Sequence, residues 1–351
     1  MSRAEETTRP IRFRFRAMNT EVEVQLVTAG REEAEHAAAL VKNWFETQEQ
    51  RFSRFIPDSE LNRLNRKAGW MSVSAAMDEV LNLAYGYIGQ TEGIFQPGIS
   101  RALRERGYDV SFEQIGQGKS GTTQSLLYTP TSLASPIFGE DRDYTCPGWI
   151  HREGSRMVQM DLGLELDLGG IVKGWATERI ADWLERTLHV PAGMINAGGD
   201  IQVWGTPPSS TWTIYVKDPL LEKRNLTGSI QLESGAAATS GIAHRQWQQA
   251  DGRLCHHLID PRTMEPADTD VVQCTAVGQH VSQCEIIAKT VCILGSAEAI
   301  GWLNRHYDRH DVLWMTREGK LWFRGDMDTL KQRWPGFEPD HCFSFIYNAN
   351  F

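Results

Sequence analysis

The sequence predicts an α+β fold with a largely antiparallel sheet and flanking helices. Short runs rich in apolar residues recur through the second half of the chain, and little sequence separates them. These predicted strands cover 155–168, 192–196, 200–204, 211–217, 227–233, 256–259 and 271–277. Because strands outnumber the helices that could serve as crossovers, we expect hairpin connections rather than a doubly wound parallel sheet.

The first third of the chain predicts a hairpin followed by three helices. Residues 11–26 alternate charged or amide side chains with apolar ones, which is typical of a strand or a bent hairpin. Residues 31–50 carry apolar side chains at helical spacing. A second helix should begin near Ser59, with Asp58 or Ser59 as its N-cap, and a third should span roughly 75–91.

The last third predicts two helices, a hairpin and a short polar helix. The two helices cover about 281–294 and 296–307. The hairpin covers 311–323 and turns at Glu318 and Gly319, and the polar helix lies near 326–333.

We expect a single domain over residues 11–325, followed by a C-terminal tail over 326–351. Residues 108–150 are weakly periodic and rich in turn-forming residues. That length is unusual for a loop in a compact domain, so this segment is predicted to be an insertion or a mobile surface segment.

Composition and charge exclude several classes of protein. The chain has 351 residues, a formal net charge of -9 and a pI near 5.6, which disfavour a nucleic-acid or anionic-membrane partner. No apolar run approaches the roughly 18 residues of a membrane span. The first ten residues are polar and charged and lack an apolar signal core, so we expect a cytoplasmic protein.

The segment 167–176, with the sequence DLGGIVKGWA, has the features of an anion site. A predicted buried strand over 162–168 ends at Asp167, two glycines follow, and a predicted helix from Ile171 carries Lys173 in its first turn. The free N–H groups and the dipole of a helix start favour a phosphate, and Lys173 adds a full positive charge. The alternative is that the glycines only turn the chain after a strand.

Three further segments could line a ligand site. Residues 196–200 place two adjacent glycines between short strands, where a hairpin turn is the alternative. Residues 236–241 consist wholly of small residues, which suit either a flat ligand or tight strand packing. Residues 257–263 bring a histidine, a carboxylate and an arginine together; His257 could act as a general base, and Asp260 before Pro261 could simply start a turn.

Taken together, these segments resemble the ApbE family over about residues 11–325. The resemblance rests on motifs that occur in the family's order: MNT at 18–20, FSRF at 52–55, SELNRLN at 59–65, GIFQP at 93–97, DLGGIVKGWA at 167–176, NAGGDI at 196–201, ATSG at 238–241 and HLIDPRT at 257–263. The motifs DLGGIVKG and NAGGDI are specific in combination. The resemblance implies an ApbE-like (T-fold-like) architecture.

The resemblance also implies an activity, because members of this family are FAD:protein FMN transferases. FAD would bind with its pyrophosphate next to Mg²⁺, and a threonine or serine hydroxyl of an acceptor protein would attack the FMN phosphorus. AMP would leave, and the acceptor would keep FMN in a phosphoester link. The partner is therefore a flavin-acceptor protein, and the sequence leaves a homodimer open as an assembly.

The same resemblance assigns roles to residues of this chain. His257 would be the base for the incoming hydroxyl, and the Gly170 carbonyl and Glu285 would bind the metal. The cofactor-binding set would be Met18, Phe55, Ile94, Phe95, Gln96, Asp167, Lys173, Asn196, Gly198, Gly199, Thr239, Ser240 and Ile259.

The chain departs from the family pattern at the implied metal site. Family members usually carry an aspartate and, four residues later, a threonine as Mg²⁺ ligands; this chain has Glu285 and Lys289. A glutamate keeps a hard oxygen ligand, whereas a lysine ammonium has no lone pair for a metal. Glu285 and Lys289 could pair on one helix face, and Lys289 could replace the charge of the metal. Gln96 stands where the family has an aspartate.

Two other functions remain open at this point. The protein could hold FAD without transferring FMN, or it could hydrolyse the FAD pyrophosphate to FMN and AMP with water as the nucleophile.

Overall fold

The computed structural model describes residues 9–116, 149–152, 155–220, 226–243, 245–249 and 252–345. The strands are β1 Ile11–Ala17, β2 Thr20–Val27, β3 Gly69–Ser72, β4 Trp149–Arg152, β5 Met157–Met160, β6 Ala192–Ala197, β7 Asp200–Trp204, β8 Trp212–Lys217, β9 Leu226–Leu232, β10 Gly235–Gly241, β11 Gln246–Gln248, β12 Leu254–His256, β13 Ile259–Asp260, β14 Glu265–Pro266, β15 Val271–Gly278, β16 Asp311–Thr316, β17 Leu321–Gly325 and β18 His341–Ser344. The helices are α1 Arg31–Phe52, α2 Glu60–Asn65, α3 Ala75–Gln90, α4 Ser100–Glu105, α5 Phe112–Gly116, α6 Val172–Arg186, α7 Val281–His306 and α8 Leu330–Arg333.

The main sheet has nine strands in the order β1-β2-β6-β7-β10-β15-β16-β17-β18. Every neighbouring pair is antiparallel except β17 and β18, which run parallel. This arrangement confirms the predicted α+β fold with a largely antiparallel sheet. The hairpins predicted at the start of the chain and at 311–323 are β1–β2 and β16–β17.

Both faces of the main sheet are covered, and alternate residues of its strands face the two cores. Along β10, Ala236 and Ala238 face the core beneath α7, while Ala237 faces a second core beneath the hairpin β8–β9. Because these side chains are small, α7 lies close to the sheet, and the Cys292 thiol reaches the Ser240 carbonyl oxygen at 3.6 Å. The alanines of this segment therefore serve helix packing. Helices α1 and α6 cover the other half of the same face.

Helix α7 is a core helix with a sharp break. It is long and apolar enough to cross a membrane, but 72% of its most apolar window is buried inside the fold, against β10 and β15. Gly295 leaves the helical conformation with φ 77°, and the Asp270 carboxylate accepts a hydrogen bond from the Ser296 N–H at 2.9 Å. The two helices predicted on either side of residue 295 are therefore joined through this glycine.

The predicted strand over 162–168 is wrong, and so is the single strand over 256–259. Leu162 is 85% exposed, and the Leu166 backbone is satisfied by a side chain, because Asn65 both donates to its carbonyl and accepts from its N–H at 2.9 Å. The second segment splits between β12 and β13, which pair with different strands. Within 162–168, Leu166 and Leu168 are therefore buried without a strand ladder.

The segment predicted as a C-terminal tail joins the fold through residue 345. Strand β18 extends the main sheet, and Trp334 is fully buried in the core beneath β8 and β9. Most of the predicted insertion at 108–150 lies outside the described residues. Its described parts include α5 and β4, and β4 pairs with β5 in a small separate sheet.

Candidate active site

A deep cleft opens between the β1–β2 turn, the chain after α1, the start of α6 and the middle of α7. It collects most of the residues predicted for the site. Those lining it are Met18, Phe55, Ile94, Phe95, Gln96, Asp167, Gly170, Lys173, Gly198, Thr239, Ser240, His257 and Ile259. These residues come from seven separate segments of the chain, and the fold brings them together in one place.

Asn196, Gly199 and Glu285 do not line the cleft. The Asn196 side chain accepts a hydrogen bond from the Gly199 N–H at 2.8 Å and so holds the β6–β7 turn. Gly198 and Gly199 both have positive φ, and a side chain on Gly198 would overlap the Thr20 hydroxyl. This turn shapes the cleft through its backbone.

Asp167 is fixed by three contacts at one edge of the cleft. Its N–H donates to the Pro97 carbonyl at 2.7 Å, and its carboxylate accepts from the Gly169 N–H at 2.7 Å. The other carboxylate oxygen pairs with Arg54 Nε at 3.0 Å. Asp167 thus positions the glycine turn and an arginine that the sequence reasoning did not assign to the site.

Arg54 links the charged and aromatic parts of the cleft. Its guanidinium carbon lies 4.3 Å from the ring centroid of Phe55 and 4.5 Å from that of Tyr108. The Nη2 atom of Arg54 and the Nε2 atom of Gln96 are buried without a hydrogen-bond partner among the described residues. Buried polar atoms in a cleft that lack partners mark where a polar ligand could bind.

The start of α6 holds a carboxylate of the protein itself. The Gly174 N–H donates to Glu285 Oε2 at 3.0 Å, and Glu285 is fully buried beneath the cleft. The favourable end of the α6 dipole therefore faces Glu285. Gly174 permits this approach, since a Cβ there would lie 2.8 Å from Glu285 Oε2 and 2.9 Å from the Ser282 Cα.

Two lysines and two carboxylates form a buried four-charge cluster at this point: Lys173, Asp200, Glu285 and Lys289. Lys173 Nζ contacts the Asp200 carboxylate and lies 2.8 Å from Glu285 Oε1. Lys289 Nζ lies 2.6 Å from the same Glu285 oxygen. Neither Asp200 nor this arrangement was assigned from the sequence, because the four groups come from three elements far apart in the chain.

The cluster shifts the pKa values of its members. Burial acts to raise the pKa of Glu285, but Lys173 and Lys289 outweigh it and lower that pKa to about 2. Burial and the neighbouring Glu285 raise the pKa of Asp200. Burial opposes the charged form of Lys173, yet Asp200 and Glu285 raise its pKa, whereas burial lowers the pKa of Lys289. Glu285 is therefore the firmly ionised centre that holds both lysines.

His257 lies in the cleft wall between β12 and β13. Its Nδ1 atom is buried and has no hydrogen-bond partner in the described part of the chain. Burial lowers the pKa of His257 well below its ordinary value, and the positive charges of Arg245 and Lys289 lower it further. A neutral imidazole at neutral pH is able to accept a proton.

The residues that follow His257 have structural roles. The Asp260 carboxylate accepts from the Arg262 N–H at 2.9 Å and pairs with its guanidinium at 2.8 Å. Arg262 also pairs with Glu298 at 2.9 Å. Asp260 thus closes the turn after β13, which agrees with the simpler of its two predicted roles.

As the structure places them, the predicted metal donors, Gly170 and Glu285, do not fit a Mg²⁺ ion. Both Glu285 oxygens already accept hydrogen bonds. The Lys289 side chain passes close to Gly170, since a Cβ placed on that glycine would lie 3.7 Å from Lys289 Cε. No cluster of three or more histidine, cysteine, aspartate or glutamate side chains among the described residues could hold a metal ion. Mg²⁺ needs several oxygen ligands in octahedral geometry, and an ammonium offers none.

Comparison with known sequences gives a consistent result. The family model described as "ApbE family" matches residues 18–314. A Klebsiella pneumoniae protein named FAD:protein FMN transferase is 32% identical over 155 residues, which are 44% of this chain and 46% of that protein. A Rhodobacter capsulatus protein of the same name is 24% identical over 81% of this chain and 51% of its own length. The chain thus spans about half the length of these relatives.

Other relatives match along most of their length. The FAD:protein FMN transferase of Treponema pallidum is 25% identical over 82% of this chain and 80% of its own. The crystal structure of the ApbE protein from Thermotoga maritima superposes with a TM-score of 0.71 at 22% identity, covering 89% of this chain and 96% of that one. The flavin transferase ApbE from Vibrio cholerae gives a TM-score of 0.68 at 20% identity, covering 88% and 94%.

These structural neighbours have the same fold, and the family model covers most of the sequence, including the segments that build the cleft. The chain belongs to the ApbE family.

Proposed function

We propose that this protein is an FAD:protein FMN transferase, which moves FMN from FAD to a threonine or serine hydroxyl of an acceptor protein and releases AMP. The observation that carries the proposal is one cleft that joins an aromatic wall, a set of buried cations and a neutral histidine. Relatives of this name support the same activity.

The cleft offers contacts for both kinds of group in FAD. Phe55, Phe95 and Tyr108 offer ring faces and edges for the flavin or the adenine. Lys173, Lys289 and Arg245 line the same cleft and supply positive charge for the pyrophosphate. Met18 and Ile259 also line its walls.

The reaction requires positioning and charge neutralisation more than covalent chemistry from the enzyme. The acceptor hydroxyl oxygen would form a bond to the FMN phosphorus while the phosphorus–oxygen bond to AMP breaks. The hydroxyl proton would pass to His257, whose imidazole is neutral before the reaction, and AMP would leave with the bridging oxygen. Because the donor set at Gly170 and Glu285 does not fit Mg²⁺, the proposed transfer takes place without that ion.

The proposal extends to location and assembly. We propose that the enzyme acts in the cytoplasm on an acceptor protein, which fits its acidic charge and the burial of its apolar helix α7. A homodimer stays a prediction.

Product analysis separates this function from its two alternatives. The protein would be incubated with FAD and a candidate acceptor, and nucleotides and proteins would be resolved by chromatography with flavin detection. Transfer predicts AMP in amounts equal to flavin that co-elutes with denatured acceptor. Free FMN with AMP would instead show hydrolysis, and unchanged bound FAD would show a binding protein.

A further inference from the structure

One wall of the cleft contains an ammonium group where the family pattern would place a metal ligand. Lys289 follows Glu285 by one turn of α7, so both side chains leave the helix on the same face. Its aliphatic end lies against Gly170, and its Nζ ends 2.6 Å from Glu285 Oε1. The Lys289 side chain thus lies close to both predicted metal donors, Gly170 and Glu285.

The contacts of Glu285 disfavour a role as a metal ligand. Oε1 accepts from both lysines, Lys173 at 2.8 Å and Lys289 at 2.6 Å, and Oε2 accepts from the Gly174 N–H at 3.0 Å. Three of the roughly four acceptor sites of this carboxylate are thus occupied, and the two ammonium groups would repel a divalent cation that approached it. The next residue, Thr290, carries a hydroxyl but leaves α7 about 100° around the helix from Lys289, so it does not take the position of the family's threonine.

The charges of the cluster lead to the same conclusion. Asp200 and Glu285 carry two negative charges, and Lys173 and Lys289 carry two positive charges, so the ionised cluster is neutral. A neutral residue at position 289 would leave one excess negative charge, which is an environment that attracts a cation. With lysine at position 289, a bound divalent cation would instead give the buried cluster a net charge of +2, which is costly.

Resting on the proposed FAD site, we infer that the Lys289 ammonium replaces the divalent cation and makes the binding of the FAD pyrophosphate independent of metal. The ammonium is held by Glu285 below and lines the cleft above, so it can donate to a phosphate oxygen.

The first test measures FAD binding by the unaltered protein, with flavin fluorescence as the readout. Titrations in excess EDTA and in excess Mg²⁺ should give the same dissociation constant. Binding that is lost in EDTA and restored by Mg²⁺ would overturn the inference and leave the proposed function standing. Absence of FAD binding under both conditions would overturn the proposed function, and this inference with it.

The second test changes the chemistry of position 289. In EDTA, Lys289→Thr should weaken FAD binding by about 30-fold or more, because a buried charge pair is broken. Adding Mg²⁺ should recover most of that affinity in the double variant Glu285→Asp with Lys289→Thr, which restores the family's ligand pair. Lys289→Met, which leaves the same excess negative charge but offers no oxygen ligand, should be as weak in EDTA and should recover less affinity with Mg²⁺ than the double variant.

The control is Lys42→Thr, because Lys42 also pairs with a glutamate one turn away, Glu46, but on the exposed surface of α1. It should bind FAD as the unaltered protein does, with or without metal. Lys289→Thr binding FAD in EDTA as tightly as Lys42→Thr would contradict the inference.

Discussion

At the scale of single residues, the proposed chemistry depends on His257 being neutral and accessible to the cleft. Its neighbour His256 shows the contrast, because the His256 ring nitrogen Nε2 hydrogen bonds to the Ala267 carbonyl at 3.0 Å. His256 is thereby held to the fold through Nε2, although its Nδ1, like that of His257, has no partner among the described residues. Of these two adjacent histidines, only His257 lines the cleft.

Replacing His257 should therefore affect the rate far more than binding. His257→Ala is expected to lower the single-turnover rate of FMN transfer by about 100-fold or more, as loss of a general base does. FAD affinity should change little. Rapid-quench measurement of AMP release gives the rate, and fluorescence titration gives the affinity. The control is His36→Ala, because His36 lies on the exposed face of α1. Equal losses of rate and affinity in His257→Ala would show that His257 has a binding role only.

The pH dependence of kcat/KM should reflect the lowered pKa of His257. Burial lowers this pKa, and Arg245, Lys289, His256 and Lys173 add to the shift. The base is active when deprotonated, so kcat/KM should stay level as the pH falls through about 6.5, the ordinary histidine value, and decline only well below it. A decline centred at or above the ordinary histidine pKa would contradict this assignment.

At the scale of elements, the site depends on the close approach of α6 and α7. Gly174 makes this approach possible, because any side chain there would meet Glu285 and the Ser282 backbone. The four-charge cluster and the glycine turn at Gly170 are positioned by the same contact.

Gly174→Ala should therefore destabilise the protein although alanine is the better helix former. We expect the free energy of unfolding to fall by about 1–3 kcal/mol, the usual cost of overpacking. Urea denaturation followed by circular dichroism would measure it. Gly86→Ala in α3, where a Cβ meets nothing within 4 Å, should be neutral or stabilising by up to about 1 kcal/mol. The same small effect for both variants would contradict the proposed close packing.

At the scale of the whole molecule, the C-terminal segment completes the layer beneath the sheet. Trp334 is fully buried and packs edge-on against Phe323 and Phe337. Asp311, itself buried, binds Arg333 at 2.8 Å and the Asp326 N–H at 3.0 Å. Residues after 325 are thereby tied to the sheet.

Trp334→Ala should lower the free energy of unfolding by about 3–5 kcal/mol, as truncation of a buried aromatic side chain does. Tyr215→Ala changes an aromatic residue of the same layer that is 64% exposed, so its effect should stay within about 0.5 kcal/mol. Guanidinium denaturation of both variants gives the comparison. A small effect for Trp334→Ala would mean that the segment beyond 325 does not stabilise the domain.

Local patterns in the sequence were sufficient for much of the fold. Alternation predicted β1 and β2, and the capping pattern predicted the start of α2, where the Ser59 hydroxyl accepts from the Asn62 N–H at 3.0 Å. The strand predicted over 162–168 is absent because the side chain of Asn65, about 100 positions away, makes the hydrogen bonds to the Leu166 backbone that a neighbouring strand would make. A contact that distant in the chain leaves no local signal.

The residues of the candidate site also divide into those with a local sequence signal and those placed by contacts distant in the chain. His257, Lys173 and Asp167 lie in short motifs and could be found there. Arg54 and Asp200 enter the site through partners distant in sequence, Asp167 and Lys173, so their roles depend on the fold. The replacement at position 289 and its pairing with Glu285 could be predicted from the i, i+4 spacing, but the contact of Lys289 with Gly170 required the structure.

The transfer of FMN is tested most directly by the intact mass of an acceptor protein after incubation with this enzyme and FAD. The expected result is an acceptor heavier by one FMN less one water, with the addition mapped to a threonine or serine and abolished when that residue is changed to alanine. An acceptor of unchanged mass, alongside FAD converted to free FMN and AMP, would contradict it.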